Sequence, residues 1–298
     1  MATPPASSPT SPVASPNEST APSPATQQLD SDGVVMMFPP NPDGSSWSLG
    51  TSDPNLENDY FDINGAEATK ESENGITYWA NSGGVVNYRS GAPSGRTVRL
   101  NIRASGGSQK YTWQNGAMEN GYLGNPKDLK NLEATVYVRV RGNNGTHTSM
   151  NWKLRGGKHS SSDETLASCV ETGVPFGNEG PEAGRELDHP YYDMVPLTPK
   201  FTYSLEEGKW LGVKVVSYVI EGGTKNLLYL DTDPFDANGK PRNEFRLYTE
   251  WEDRDGVSTG RYSKAATWAG HVTTFRVDGW KFVDFAILSA REIIPPAA

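Results

Sequence analysis

The chain has 298 residues with a formal net charge of -9, and its 31 glycines, 22 prolines and low charged fraction suit one large, loop-rich β domain. That acidity argues against nucleic acid and anionic membrane as general partners, which need a broad basic surface, while leaving room for a local basic groove. The lone Cys169 excludes an internal disulfide and a cysteine-based zinc site, and no run is long and apolar enough to span a bilayer.

Residues 1–33 are dominated by Pro, Ser, Thr and Ala, too poor in apolar surface to offset the entropy of ordering, and are expected to be a disordered linker. Such tracts are typical of exported linkers between modules. The start, Met1-Ala-Thr-Pro-Pro, lacks the charged and apolar regions of a signal peptide, so the expectation is a secreted, monomeric protein whose signal has been removed and whose linker joined a second module. Asn17-Glu-Ser and Asn144-Gly-Thr match the glycosylation sequon.

From Val34 to the end, residues 34–298, short β-like runs alternate with Gly, Asn, Asp and Pro clusters, and no helical period appears. Strands are predicted at 34–38, 60–63, 77–80, 97–103, 134–141, 149–155, 209–220, 226–231, 244–250, 273–277 and 280–291. This number of strands without a repeat predicts an all-β, two-sheet antiparallel jelly-roll sandwich. Its core is expected to include Val136, Val138, Trp152, Leu154, Val213, Val215, Phe275 and Phe285.

Two runs carry the functional signal. In 134–141 the residues Ala134, Val136, Val138 and Val140 share one face, and Thr135, Tyr137, Arg139 and Arg141 the other. In 149–155 Met150, Trp152 and Leu154 oppose Asn151, Lys153 and Arg155. A hairpin placing Arg141 opposite Ser149, Val138 opposite Trp152 and Tyr137 opposite Lys153 satisfies both faces, and predicts one open surface bearing Tyr137, Arg139, Arg141, Lys153 and Arg155. The plainer reading is a solvated face whose cations pair with acids such as Glu133 or Glu186. The chain's four histidines are His147, His159, His189 and His271, and no close pair among them has metal-ligand spacing. Asp231, Asp233 and Asp236 lie in a connection read either as a polar hairpin loop or as a structural calcium site, although EF-hand spacing is missing. Of Trp79, Trp113, Trp251, Trp268 and Trp280, three or more are expected to be structural and the rest to stack on sugar rings.

Gly121-Tyr-Leu-Gly-Asn-Pro-Lys-Asp-Leu-Lys-Asn-Leu-Glu, Arg155-Gly-Gly-Lys-His159, Glu186 with His189-Pro-Tyr-Tyr192, Lys209-Trp-Leu-Gly-Val-Lys214, Trp268-Ala-Gly, Phe275-Arg276 and Val283-Asp-Phe together resemble a family of secreted proteins with the concanavalin A-like jelly roll. The resemblance covers residues from about 120 to 294, and the basic strand followed by His and Tyr is similar in site chemistry to alginate- and glucuronan-type polysaccharide lyases. It implies β-elimination on a uronate-containing polysaccharide. In that chemistry Arg155, with Lys153, neutralises the carboxylate, and His159, His189 and Tyr192 supply base and acid. Tyr137, Arg139, Tyr191 and Trp268 then contact the substrate, and no cofactor is required. The principal alternative is a non-catalytic, lectin-like carbohydrate-binding module. A glycoside hydrolase using Glu250 and Glu252 is a further one, since hydrolysis needs two carboxyl groups across the scissile bond.

Overall fold

The period-two alternation of the sequence becomes, in a computed structural model, sixteen strands and no helix among the described residues, which are 28–50, 52–55, 61–64, 67–81, 85–86, 96–104, 128–143, 149–157, 168–174, 180–188, 191–256 and 264–297. Numbered in chain order, sheet I runs β14 (Arg246–Arg254), β13 (Gly223–Asp231), β12 (Trp210–Ile220), β7 (Leu132–Asn143), β16 (Trp280–Glu292), β4 (Ile76–Asn81) and β3 (Ala68–Glu73), with β1 (Ser46–Ser48) also on β16. Sheet II runs β11 (Tyr191–Pro196), β10 (Glu182–Asp188), β9 (Cys169–Val174), β8 (Ser149–Gly156), β15 (Val272–Asp278), β6 (Arg96–Arg103) and β2 (Phe61–Asn64), with β5 (Val85–Val86) on β6. Neighbours in both sheets pair antiparallel, and the fold is a two-sheet jelly-roll sandwich.

One face of every long strand enters a shared core. Val136 and Val138 of β7, Trp152 and Leu154 of β8, Val213 and Val215 of β12, Phe275 of β15 and Phe285 of β16 all belong to it, as the alternation predicts. Trp79 and Trp280 are buried there too.

The hairpin expected between residues 134–141 and 149–155 does not form. β7 pairs with β12 and β16 in sheet I, placing Leu211 and Phe285 on either side of Val138, whereas β8 pairs with β9 and β15 in sheet II, placing Phe275 beside Trp152. Both apolar faces reach the same core, but from opposite sheets. Their polar faces therefore lie on opposite outer surfaces of the sandwich. Alternation fixes which side of a strand is buried and says nothing about which sheet receives it.

Residues 34–38 are not a strand either. Together with residues 28–33, they form bridged turns against the outer face of sheet I, where Arg291 donates to Asp30 at 3.1 Å and the Met37 N–H donates to Glu133 at 2.9 Å. The rest of the expected linker, residues 1–27, lies outside the described residues, as do both sequons, His147 and Trp113. No helix among the described residues is long and apolar enough to cross a membrane.

Candidate functional site on the outer face of sheet II

The polar side of sheet II forms two register rows. In the first, Arg99 of β6, Arg276 of β15, Asn151 of β8 and Gly173 of β9 lie side by side. In the second, Asn101, Thr274, Lys153, Glu171 and Gly184 do the same, ending on β10. Each of these strands sends its alternate residues, such as Leu100, Phe275 and Trp152, into the core, so the polar set faces the other way as a group. Arg99, Lys153, Gly156, Gly157, Cys169, Val272, Thr274 and Arg276 line a small cavity.

Lys153 is the hub. Its ammonium donates to Glu186 Oε2 at 2.6 Å and to Tyr192 Oη at 3.2 Å, and lies 3.2 Å from Glu171 Oε2. Burial opposes its charge, yet Cys169, Glu171 and Glu186 together hold its pKa well above the usual lysine range. The pairing of Lys153 with Glu186 was anticipated; Glu133 instead takes Lys214 and Arg291 on sheet I. Burial pushes the Tyr192 hydroxyl up to about 12, against the pull of Lys153, so it stays protonated near neutral pH. The Cys169 thiol is likewise raised by burial, and its Sγ lies 3.7 Å from Glu186 Oε2.

The two arginines of the first row are directly opposite each other, an unfavourable like-charge pair. Arg276 Nε is compensated by Asp278 at 2.6 Å. Arg99 makes no ion pair among the described residues, and burial together with Arg276 lowers its pKa. Further along the face Thr274 donates to Asn101 at 2.7 Å, Asn101 to Asp62 at 2.8 Å, and Arg103 pairs with Asp62.

The remaining candidates from the sequence fall elsewhere. Arg155, expected beside Lys153 on the open face, is fully buried. β8 carries one extra residue between its pairings Lys153 with Thr274 and Gly156 with Val272, and Arg155 sits in this bulge at φ 58°. Its guanidinium is thereby turned inward, to Ser217 Oγ of β12 at 3.1 and 3.2 Å and to the Trp268 carbonyl at 2.8 Å. Burial pushes its pKa down to about 10. Trp268 returns an indole N–H to the Arg155 carbonyl at 2.9 Å and is half-buried. Tyr191, at the start of edge strand β11, is 56% exposed.

Tyr137 and Arg139 are on the outer face of sheet I, across the sandwich from Lys153. Tyr137 is buried against Phe235 and Phe245, with ring centroids at 5.0 and 5.9 Å. Arg139 stacks between Tyr78 and Trp210, 4.8 Å from each ring, and bonds Asp284 at 2.8 Å and Glu73 at 2.6 Å. His159 and His189 lie outside the described residues.

Glu250 and Glu252 are on β14 of sheet I. Lys200 and Lys225 hold the Glu250 pKa below the usual range, and Arg254 with Lys225 does the same for Glu252. In the 231–243 connection, Asp231 accepts from the Asp233 and Glu244 N–H groups and Asp236 from those of Asn238 and Lys240, the pattern of a polar hairpin loop.

Sequence reasoning passed over Arg99, Glu171 and Thr274, and it used Arg276 only within the family resemblance. The signal was present in the alternation of Arg99, Asn101 and Arg103 with Leu100 and Ile102. What was missing was the strand order that sets β6 and β15 beside β8.

No protein-family model matches the chain, and no curated protein matches it. Among solved structures the chain is similar to the winged bean acidic lectin complexed with methyl-α-D-galactose, at 11% identity and a TM-score of 0.41, covering 84% of this chain and 99% of that one. It is similar also to domain 4 of AbnA, a GH43 extracellular arabinanase from Geobacillus stearothermophilus, in complex with arabinotriose (11% identity, TM-score 0.39, 84% and 91% covered). A third such structure is lectin II from Ulex europaeus, at 9% identity and a TM-score of 0.38, with 83% and 97% covered.

Proposed function

We propose that this is a secreted carbohydrate-binding domain that holds an acidic polysaccharide along the outer face of sheet II, with a uronate carboxylate received between Arg99 and Arg276 beside Lys153. The observation that carries this reading is the like-charge pair Arg99 and Arg276, in which Asp278 ion-pairs directly with Arg276 and Arg99 makes no ion pair among the described residues. Two guanidiniums converging on a cavity offer paired hydrogen bonds to a planar anion, and an anionic ligand removes their mutual repulsion.

The test is calorimetric titration with glucuronan, alginate and pectate beside a neutral glucan. Binding to at least one polyuronate is expected, weakening as salt rises and falling about tenfold in Arg99→Ala, while the glucan stays unbound. Equal affinity for the neutral glucan, or salt-independent binding, would overturn the proposal.

The contact between Tyr192 and Lys153, 3.2 Å at the same cavity, favours a second reading in which the bound polymer is also cleaved by β-elimination. A base, from His159 or His189, takes the C5 proton, the C4–C5 double bond forms as the C4–O4 bond breaks, and the protonated Tyr192 gives its proton to O4. Ultraviolet absorbance of the unsaturated product, appearing with the wild type and lost in Tyr192→Phe, is the expected signature. Binding without absorbance leaves the non-catalytic module. New reducing ends without absorbance mean hydrolysis.

A further inference from the structure

The cavity on sheet II exists because β8 does not continue as a regular strand. Its outward positions run Asn151, Lys153 and then, by alternation, residue 155. An unbroken ladder from the pairing of Lys153 with Thr274 would set Arg155 opposite Val272, with its side chain on the outer face beside Lys153. The bulge sets Gly156 opposite Val272 instead. Gly156, Gly157, Val272 and Cys169 consequently line the cavity on this side, where a long side chain would otherwise stand. Glycine at 156 is required: a Cβ there would lie 2.4 Å from the Ser168 carbonyl oxygen and 2.9 Å from Cys169 Cβ.

Arg155 pins this arrangement. Its Nε and Nη2 donate to Ser217 Oγ of the opposite sheet at 3.2 and 3.1 Å, and its Nη1 donates to the Trp268 carbonyl at 2.8 Å. The Trp268 indole N–H returns a bond to the Arg155 carbonyl at 2.9 Å. Gly270 lies against the same backbone so closely that a Cβ on it would be 2.4 Å from Arg155 Cα. One side chain thus ties the cavity wall to sheet I and to the 268–270 segment. The arrangement is costly. Arg155 holds a positive φ of 58°, which side chains disfavour, and its guanidinium is fully buried on neutral acceptors, with Glu292 and Asp253 supporting its charge without an ion pair. Bulges that re-aim a side chain at such a cost recur beside functional sites.

We infer that Arg155 is a positioning residue for the anion site: held inward by Ser217 and Trp268, it fixes the bulge that keeps a side chain off the outer face and so leaves the cavity beside Arg99, Lys153 and Arg276 open to a carboxylate. This rests on the reading of that face as a polyuronate site and gives Arg155 a part in binding without contact with the ligand. Loss of the anchor frees the ladder to run on regularly, with residue 155 opposite Val272 and its side chain in the cavity.

The experiment uses the full chain and three variants. Arg155→Met keeps a long side chain and removes the charge, Ser217→Ala leaves the guanidinium without its acceptor on sheet I, and Ser217→Thr keeps the hydroxyl. Calorimetric titration with glucuronan, alginate and pectate should show affinity falling about tenfold in Arg155→Met and in Ser217→Ala and returning close to the wild-type value in Ser217→Thr. The urea midpoint of Arg155→Met should hold, because an apolar chain replaces a buried charge that has no ion pair, and this separates lost positioning from lost stability. Crystal structures of the first two variants read the pairing directly, with Val272 expected opposite residue 155. Where Arg155→Met fails to fold, Ser217→Ala carries the same measurements. Unchanged affinity, or Val272 still opposite Gly156 in both variants, overturns the role of Arg155 and leaves the polyuronate reading standing. Altered pairing in a protein whose wild type binds no polyuronate overturns that reading and leaves Arg155 as the residue that shapes the cavity.

Discussion

The two outer faces of the sandwich carry similar residue types and use them in opposite ways. On sheet I the charges are spent on each other: Glu133 accepts from Lys214 at 2.6 Å, from Arg291 at 2.8 Å and from the N–H groups of Met37 and Phe38, while Arg291 also reaches Asp30. Aromatic residues of β7 and β12 and of the 231–245 connection, Tyr137, Trp210, Phe235 and Phe245, pack beside this network. On sheet II two arginines face each other, and Asp278 pairs with Arg276 while Arg99 makes no ion pair among the described residues. Satisfied buried charge fastens a chain segment to a sheet. Unsatisfied buried charge is costly to fold and is retained where something else completes it.

Substitution separates the two most sharply at the sheet I network. Glu133→Gln leaves Lys214 and Arg291 in the interior with their shared counter-charge removed, and breaking a buried pair in this way costs about 3–5 kcal/mol. The urea midpoint should fall accordingly, with residues 28–38 becoming the first to exchange amide hydrogens. A loss below about 1 kcal/mol would mean the network does not fasten the N-terminal segment. Polyuronate affinity, measured on the folded fraction, should not change.

The reverse outcome is expected on sheet II. Arg99→Ala removes one of two opposed guanidiniums and relieves their repulsion, so stability should hold or rise by up to about 1 kcal/mol while affinity falls. A clear loss of stability would mean that Arg99 is structural, and the two faces would then not differ in kind.

Acid should loosen the sheet I network. Burial opposes ionisation of Glu133, but Lys214 and Arg291 together hold its pKa below the ordinary value of 4.5. A folded-state pKa below the unfolded one gives stability that is fully present above about pH 4.5 and is lost as the pH falls through the folded value. The denaturation midpoint of the wild type should therefore drop in that window, and the corresponding curve of Glu133→Gln should be flatter. Parallel curves would assign the acid sensitivity to other carboxylates.

The division between the faces also marks what the sequence could disclose. Alternation identified the core side of β7, β8, β12, β15 and β16, because burial of one face leaves a period of two in the residues themselves. Pairing left no such trace. β7 and β8 are consecutive and share a pattern, and only the sheet assignment separates Arg139 from Lys153. β9 and β10 went unrecognised because their outward residues, Cys169, Glu171 and Glu186, interrupt any apolar run, and those residues surround Lys153. Arg155 is the other loss. A bulge at a non-glycine residue with positive φ reverses one side chain without any mark in composition, although the following Gly156-Gly157 hinted at irregular backbone.

Tyr137 gives the smallest effect and the cleanest discrimination between the faces. The sequence places its hydroxyl on an open basic surface, where it would touch ligand, whereas the folded chain buries it in an aromatic cluster with the oxygen unpartnered among the described residues. Burial and the nearby Asp231 raise its pKa, so it stays neutral. Removing an unpaired buried hydroxyl returns its desolvation cost without opening a cavity, so Tyr137→Phe should stabilise the protein by up to about 1 kcal/mol. Polyuronate affinity should be unaltered, because the residue lies across the sandwich from the cavity. Paired thermal melts and titrations of this one variant read both quantities. Weaker binding with unchanged stability would return Tyr137 to the ligand and break the separation of the two faces.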